Sequence, residues 1–364
     1  MIKNKSKNMN NKVIILTAYA GHGKDFALEQ IQKIDNSYQK IAFADKFKEI
    51  ISYNLPDEIR KQFPELSPID LVNELKDNQP QIHITKNLNM RDFLRKMLGD
   101  TIRDIEPDIH CLYTIKKIEE TLEKDPQAKF VCTDNRYVNE QDYLIKINQY
   151  KKNEEVIDFI RHSIKEKASK INIISANQII DNNFPEKDNF LINIKKDFLK
   201  SINDLKLTKD PSKNINLFPN RSINLKNKSK EKVFNEYGVV GLFRPLVSEE
   251  VNPKNEKELI SEIVNYTNLE KDEVLLIKEK YEKNCDLEFN IDNVKKYGFI
   301  RTSPFHLSES SLEDNDRKPD DIIINKPDSS GNLLYDNIFN LLNNQYLNKN
   351  NEMNKKKHLK NKCY

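Results

Sequence analysis

The chain has 364 residues, 37% hydrophobic and 32% charged, with 60 basic and 57 acidic side chains, a formal charge of +3 and a mean hydropathy of −0.76. Such a length holds one large domain or two ordinary ones, and the near balance of charge gives no long-range field for a polyanion, which argues against nucleic acid as a partner. No stretch approaches the ~20 apolar residues of a membrane span, and the cysteines Cys111, Cys132, Cys285 and Cys363 have neither zinc-ligand nor disulfide-framework spacing.

Residues 1–12 are a basic, polar tail without the apolar region of a signal peptide, so a cytoplasmic location is expected. From Val13 the chain alternates strand and helix patterns. Val13–Thr17 reads as a strand, Asp25–Ile34 as a helix, Lys40–Ala44 as a second strand and Asp45–Tyr53 as a helix. Met90–Arg103 is a strongly amphipathic helix carrying Phe93, Leu94, Met97, Leu98 and Ile102, and Ile109–Leu122 is another. Lys129–Thr133 reads as a buried strand, Glu140–Ile147 as a helix and Val156–Ile160 as a further strand. Strands alternating with helices predict an α/β fold, a parallel sheet flanked by helices.

At about Ser163 the composition changes, and residues 163–296 read as a long polar insertion or lid-like region of mixed helix and loop, partly flexible. Within it Val239–Phe243 has strand character and Glu256–Glu282 helical periodicity. Residues 297–342 return to the core and end in an amphipathic helix, Leu333–Leu342, before the Asn/Lys-rich tail 343–364.

The most informative segment joins the first strand to the first helix. Of only 7 glycines in the chain, Gly21 and Gly23 flank His22 and lead directly into Lys24 and Asp25. A strand, a tight loop ending in Gly-Lys and then a helix is the layout of a phosphate cradle, here Ala20, Gly21, His22, Gly23, Lys24 and Asp25. Loop amides, the positive end of the helix and the Lys24 ammonium would meet a polyphosphate such as ATP. Ala18 stands where the usual pattern has its first glycine, and Asp25-Phe26 where a Mg²⁺-binding hydroxyl is expected.

Further candidates sit at strand ends and on one helix. Asp45 follows the second strand, where ligands gather in parallel sheets, and it suits a helix N-cap equally well. Arg91 and Arg95, four apart, share a helical face, and Arg103 follows; guanidinium groups suit phosphates. Asp134 and Arg136 close the Lys129–Thr133 strand. A carboxylate in that place can hold Mg²⁺ and the arginine can bind phosphate, or the two can form a structural pair at a turn.

Together these segments resemble the deoxynucleoside monophosphate kinases of tailed phages and their relatives, proteins with a P-loop core similar to adenylate kinase. Gly23-Lys24-Asp25 is similar to the family's Gly-Lys-Asp, and Phe43-Ala44-Asp45-Lys46-Phe47-Lys48 to its Phe-Ala-Asp-Pro-Leu-Lys. Arg91 to Asp108 is similar to its arginine-bearing stretch with the Pro-Asp that follows, and Asp134–Glu140 to its Asp-Val-Arg-Phe-Pro-Asn-Glu. His306–Glu309 and Ile322–Asn325 are similar to its ending. The resemblance covers residues 13–162 and 297–342 and implies transfer of the γ-phosphoryl group of ATP, with Mg²⁺, to a (deoxy)nucleoside monophosphate. It implies that Lys24 holds the donor phosphates, that Asp25, Asp134, Arg136 and Glu140 are site residues, and that Arg91 and Arg103 face the acceptor. Arg95 stands at the family's glutamine, Leu98-Gly99 at its Gly-Thr and His110 at its tryptophan, so base preference does not carry over. Two other readings compete: a degenerate P-loop protein that binds nucleotide without catalysis, and a P-loop phosphotransferase with another acceptor. The sequence fixes no oligomeric state.

Overall fold

A computed structural model describes residues 12–18, 23–185, 188–212, 238–243, 246–247, 251–267, 270–285, 288–292, 294, 321–324, 335–336, 338–339 and 342. The chain divides into two compact units, one built from residues 1–40, 127–149 and 223–364 and the other from 41–126 and 150–222.

The first unit contains a five-stranded sheet. Strands β1 (Val13–Thr17), β2 (Tyr38–Ile41), β3 (Lys129–Cys132), β4 (Val239–Phe243) and β5 (Asp321–Ile324) lie in the order β2-β3-β1-β4-β5. β1 runs parallel to both β3 and β4, and β4 parallel to β5. All five residues of β1 are buried, as expected of a central parallel strand covered on both faces. On one face Ile14, Leu16, Val131 and Val240 pack with Ala27, Leu28 and Ile31 of helix α1 (Lys24–Ile34) and with Ile338 and Leu342 from the end of the chain. Helix α8 (Val138–Gln149) also packs against β1 and buries Leu144 and Ile147.

The amino end of β1 is closed by a side chain. Asn148 of α8 accepts from the Val13 amide at 2.9 Å and donates to the Val13 carbonyl at 2.7 Å. β4 joins the ladder only at Ile15, so the Asn148 amide serves the backbone groups that no strand residue reaches, as buried peptide groups require. A separate apolar cluster in this unit gathers Leu259, Ile260 and Ile263 of α12 (Glu256–Thr267), Val274 and Ile277 of α13 (Lys271–Cys285), and Leu246, Val247, Phe289 and Val294.

The second unit is helical: α2 (Asp45–Asn54), α3 (Asp57–Arg60), α4 (Pro68–Asp77), α5 (Met90–Leu94), a π-helical stretch Arg95–Thr101, α6 (Ile102–Ile105), α7 (Ile109–Lys124), α9 (Asn153–Ala168), α10 (Ile173–Asn183) and α11 (Asn189–Lys206). Phe47 packs against His110, Tyr113 and Phe198, and Phe93 against Phe184 and Phe190. These ring contacts join segments far apart in the chain into one core.

The α/β class, the parallel sheet and the strands at 13–17, 129–132 and 239–243 agree with expectation. Three readings are corrected. Val156–Ile160 is not a strand but lies inside α9, because Val156, Phe159, Ile160, Ile164 and Ala168 are buried at helical spacing. The second strand begins earlier and ends at Ile41, and the periodic stretch 256–282 is two helices rather than one. The change of character read at Ser163 falls within α9, and the polar stretch after it forms α10 and α11. Residues 1–11 and 343–364 of the two tails, residues 213–237 of the polar insertion, the His306–Glu309 block and much of the final helix lie outside the described residues. Among the described residues no helix is long and apolar enough to cross a membrane.

Candidate functional site

The connection from β1 to α1 carries the first candidates. Ala20, Gly21 and His22 lie outside the described residues. Gly23 has φ 85° and ψ 32°, a left-handed conformation that costs glycine nothing and other residues about 1 kcal/mol or more. It caps α1 and accepts from the Ala27 amide at 2.8 Å. This turn aims the next side chain backwards: Lys24 Nζ donates to the Ala18 carbonyl at 2.7 Å, at the carboxyl end of β1. The ammonium thus bridges the mouth of the strand–helix connection, close to the positive end of the α1 dipole. Asp25 is exposed in the first turn of α1 and pairs with Lys40 of β2 at 2.6 Å. Phe26, at the place of the absent hydroxyl, is partly exposed.

Asp134 follows β3, the neighbour of β1. The register pairs Val13 with Phe130, Ile14 with Val131 and Ile15 with Cys132. Continued one-for-one, it brings Thr17 level with Asp134, on strands about 4.8 Å apart. Lys24 and Asp134 therefore belong to the same carboxyl edge of two adjacent central strands. After β1 the chain crosses to β2, whereas after β3 it crosses to β4 on the other side of β1. Connections that diverge in this way mark the switch point where open parallel sheets take ligands. Asp134 is half-buried, with the Cys132 thiol 3.7 Å from its Oδ1. Burial, with the Asp134 charge beside it, pushes that thiol well above its usual pKa, so Cys132 is the inert core thiol its apolar run suggests.

Arg136 is exposed. The turn that carries it is fixed from below by Glu140, whose side chain is only 2% exposed and whose Oε2 accepts from the amides of Arg136 at 2.9 Å and Tyr137 at 3.0 Å. Glu140 near the start of α8 thus reaches back to backbone donors in the manner of a capping residue, and its carboxylate holds the turn. Asn135, between Asp134 and Arg136, is 1% exposed, and its Oδ1 has no hydrogen-bond partner among the described residues. A buried acceptor in that condition calls for an explanation.

The remaining candidates belong to the helical unit. Asp45 is the first residue of α2 and pairs with Lys117 at 3.0 Å; the N-cap is Ala44, without a side-chain cap bond. Arg91 is exposed, with Nε donating to the Lys76 carbonyl at 3.2 Å and Nη2 3.5 Å from Asp77. Arg95, also exposed, lies 3.4 Å from Asp92. Arg103 donates to the Pro107 carbonyl at 3.4 Å. Asp108 pairs with Lys167 at 2.8 Å, a bond that raises the lysine's pKa. His110 is buried, 3.3 Å from the Phe43 carbonyl and edge-on to Phe47.

The structure thus brings Lys24, Asp134 and the Arg136 turn to one sheet edge, while Asp45, Arg91, Arg95 and Arg103 lie in the other unit. Sequence reasoning gave no weight to Lys40, fifteen positions from the carboxylate it neutralises, nor to Asn135, whose only signal was a polar side chain at the end of an apolar strand. Among the described residues no group of three or more His, Cys, Asp or Glu side chains could enclose a metal. Mg²⁺ needs no such cage, since one or two carboxylates and substrate phosphates suffice, and a half-buried Asp134 oxygen pair fits that requirement. No protein-family model, curated protein or solved structure matches the chain.

Proposed function

We propose that the chain is a P-loop kinase-like phosphotransferase that moves the γ-phosphoryl group of ATP to a (deoxy)nucleoside monophosphate. The observation that carries this reading is the placing of Lys24 and Asp134 at the same carboxyl edge of β1 and β3. In the proposal the Lys24 ammonium exchanges the Ala18 carbonyl for oxygens of the donor phosphates, so the cation is already aimed before nucleotide arrives. Asp134 holds Mg²⁺, which neutralises phosphate charge when bound, and exposed Arg136 binds a phosphate on a turn that Glu140 keeps rigid. Arg91, Arg95 and Arg103 serve the acceptor.

An oxygen of the acceptor monophosphate attacks the γ-phosphorus, a bond forms there, and the bond to the β–γ bridging oxygen breaks to release ADP. A phosphate monoester is mostly ionised at pH 7, so this nucleophile needs no general base. Catalysis then consists of positioning and charge neutralisation, which is what a lysine, a carboxylate and several arginines offer.

Radiolabelled ATP incubated with each (deoxy)nucleoside monophosphate and Mg²⁺ tests the proposal. Transfer of label to at least one monophosphate is expected, and its complete absence at high protein concentration overturns the assignment. One observation favours a second reading, nucleotide binding without catalysis: Phe26 replaces the expected hydroxyl, and Asp25 beside it is paired with Lys40. Tight binding of ATP with no transfer to any acceptor is the result that selects it.

A further inference from the structure

A carboxylate beside a polyphosphate site is an obstacle. Asp25 directly follows Lys24 and stands in the first turn of α1, at the positive helix end that attracts an anion. Its charge there favours the helix but repels an incoming triphosphate. The structure sets a counter-charge against it: Lys40 Nζ lies 2.6 Å from Asp25 Oδ1, with the two side chains 48% and 74% exposed.

The meeting follows from how the first elements are threaded. From the carboxyl end of β1, α1 runs back along the sheet, packing Ala27, Leu28 and Ile31 on Ile14 and Leu16. Between Asp25 and Ile34 it covers roughly 14 Å, at about 1.5 Å per residue. The return through Asp35–Lys40 climbs about 3.3 Å per extended residue, so Lys40, next to last in β2, arrives level with the start of α1. In β2 Tyr38 and Ile41 are buried and Gln39 and Lys40 exposed, which leaves the Lys40 ammonium on the outside with Asp25. A pair this exposed contributes little to folding, so its charges can be altered without unfolding the chain. Its electrostatic effect on a neighbouring anion is larger. An uncompensated unit charge ~6 Å from one phosphate charge, at an effective dielectric of about 40, changes affinity about tenfold.

Resting on the reading of Lys24 as the donor-phosphate cation, we infer that Lys40 is a positioning residue for polyphosphate binding. It cancels the Asp25 charge, so that the start of α1 presents net positive charge to the ligand. Lys40 acts through Asp25 rather than by touching the nucleotide. The signature is a reversal: loss of Lys40 weakens binding, and loss of the Asp25 charge in the same chain restores it.

Calorimetry on the full chain at low salt tests this, with a non-hydrolysable ATP analogue and, separately, with inorganic tripolyphosphate. Lys40→Ala is expected to bind both about three- to tenfold more weakly than wild type. Lys40→Arg is expected to bind them at near wild-type affinity, and the double variant Lys40→Ala/Asp25→Asn to recover most of the loss. The deficit of Lys40→Ala relative to wild type should shrink in about 1 M salt, where the Debye length is about 3 Å. Melting temperatures should stay within a few degrees of wild type. Unchanged affinity in Lys40→Ala overturns the inference and leaves the Lys24 reading standing. A deficit that persists in the double variant overturns it as well, because Lys40 then acts by direct contact or through the fold. A folded wild type that binds neither probe defeats the donor-site reading and this inference together.

Discussion

The two sets of candidate residues are held in different ways. At the sheet edge, Lys24 is directed by a left-handed glycine and a backbone carbonyl, and Arg136 rides on a turn locked by a buried carboxylate. In the helical unit, Arg91 and Arg95 are exposed and answer to Asp77 and Asp92 through long ion pairs, which contribute little in water. The first set is shaped before any ligand arrives, while the second is free to re-aim. The proposal assigns the donor triphosphate to the first arrangement and the acceptor to the second.

Removing Lys24 is the most severe way to test the contrast. Lys24→Ala is expected to lower kcat/KM for ATP-dependent transfer by about 10²-fold or more, with a melting temperature within a few degrees of wild type, as read by a coupled ADP assay and calorimetry. Equal activity in the variant removes the basis for assigning the donor side. Asp134→Asn is expected to lower kcat by a factor of about ten or more with affinity for the ATP analogue retained; turnover that survives intact rules out its metal-holding role. Arg95→Ala should act on the other side alone, raising KM for the monophosphate severalfold without changing ATP affinity, and costing under about 1 kcal/mol of stability. An effect on ATP affinity would erase the division between the sets.

Two smaller effects probe how firmly the sheet unit is built. Glu140→Ala leaves two amides of the Arg136 turn without their acceptor, so a loss of about 1–3 kcal/mol is expected in chemical denaturation, and Glu140→Gln should recover part of it. Asp35 pairs with Lys129 at 2.7 Å. Burial works against its charge, but the bonds from Lys129 and Ser37 prevail and hold the carboxyl below its ordinary value. A carboxylate with a depressed folded-state pKa adds stability that is complete above its unfolded pKa and is lost as pH falls through the folded one. Wild type should therefore lose stability on acidification below about pH 4, and Asp35→Asn should show a shallower acid limb in denaturation measured from pH 6 to pH 2. Identical limbs would remove this pair from the stability of the sheet unit.

Legibility followed the range of the interactions. β1 and β3 could be read because strands buried on both faces are continuous apolar runs, and the lysine could be read because glycine is rare here and clustered before it. The same logic misled at Val156–Ile160, where a run of apolar residues within α9 imitated a buried strand. α10 and α11 were obscured because their apolar faces make sense only against partners such as Phe93, which meets Phe184 and Phe190 across some ninety residues of chain. Glu140 was visible as a polar residue near a strand end, but its task of holding backbone amides depends on a turn that sequence does not display. Gly99 was legible as a departure from the family pattern; that it lies in a π-helical stretch required coordinates.

Helix α8 is fastened at both extremities, by Glu140 to the turn bearing Arg136 and by Asn148 to the first residue of the central strand. It behaves as a tie-rod laid along the sheet, and it ties the turn to a strand whose five residues are all buried. An anion docking there, as proposed, would meet main chain that has already surrendered its freedom during folding, so little ordering entropy would be left to set against the contact.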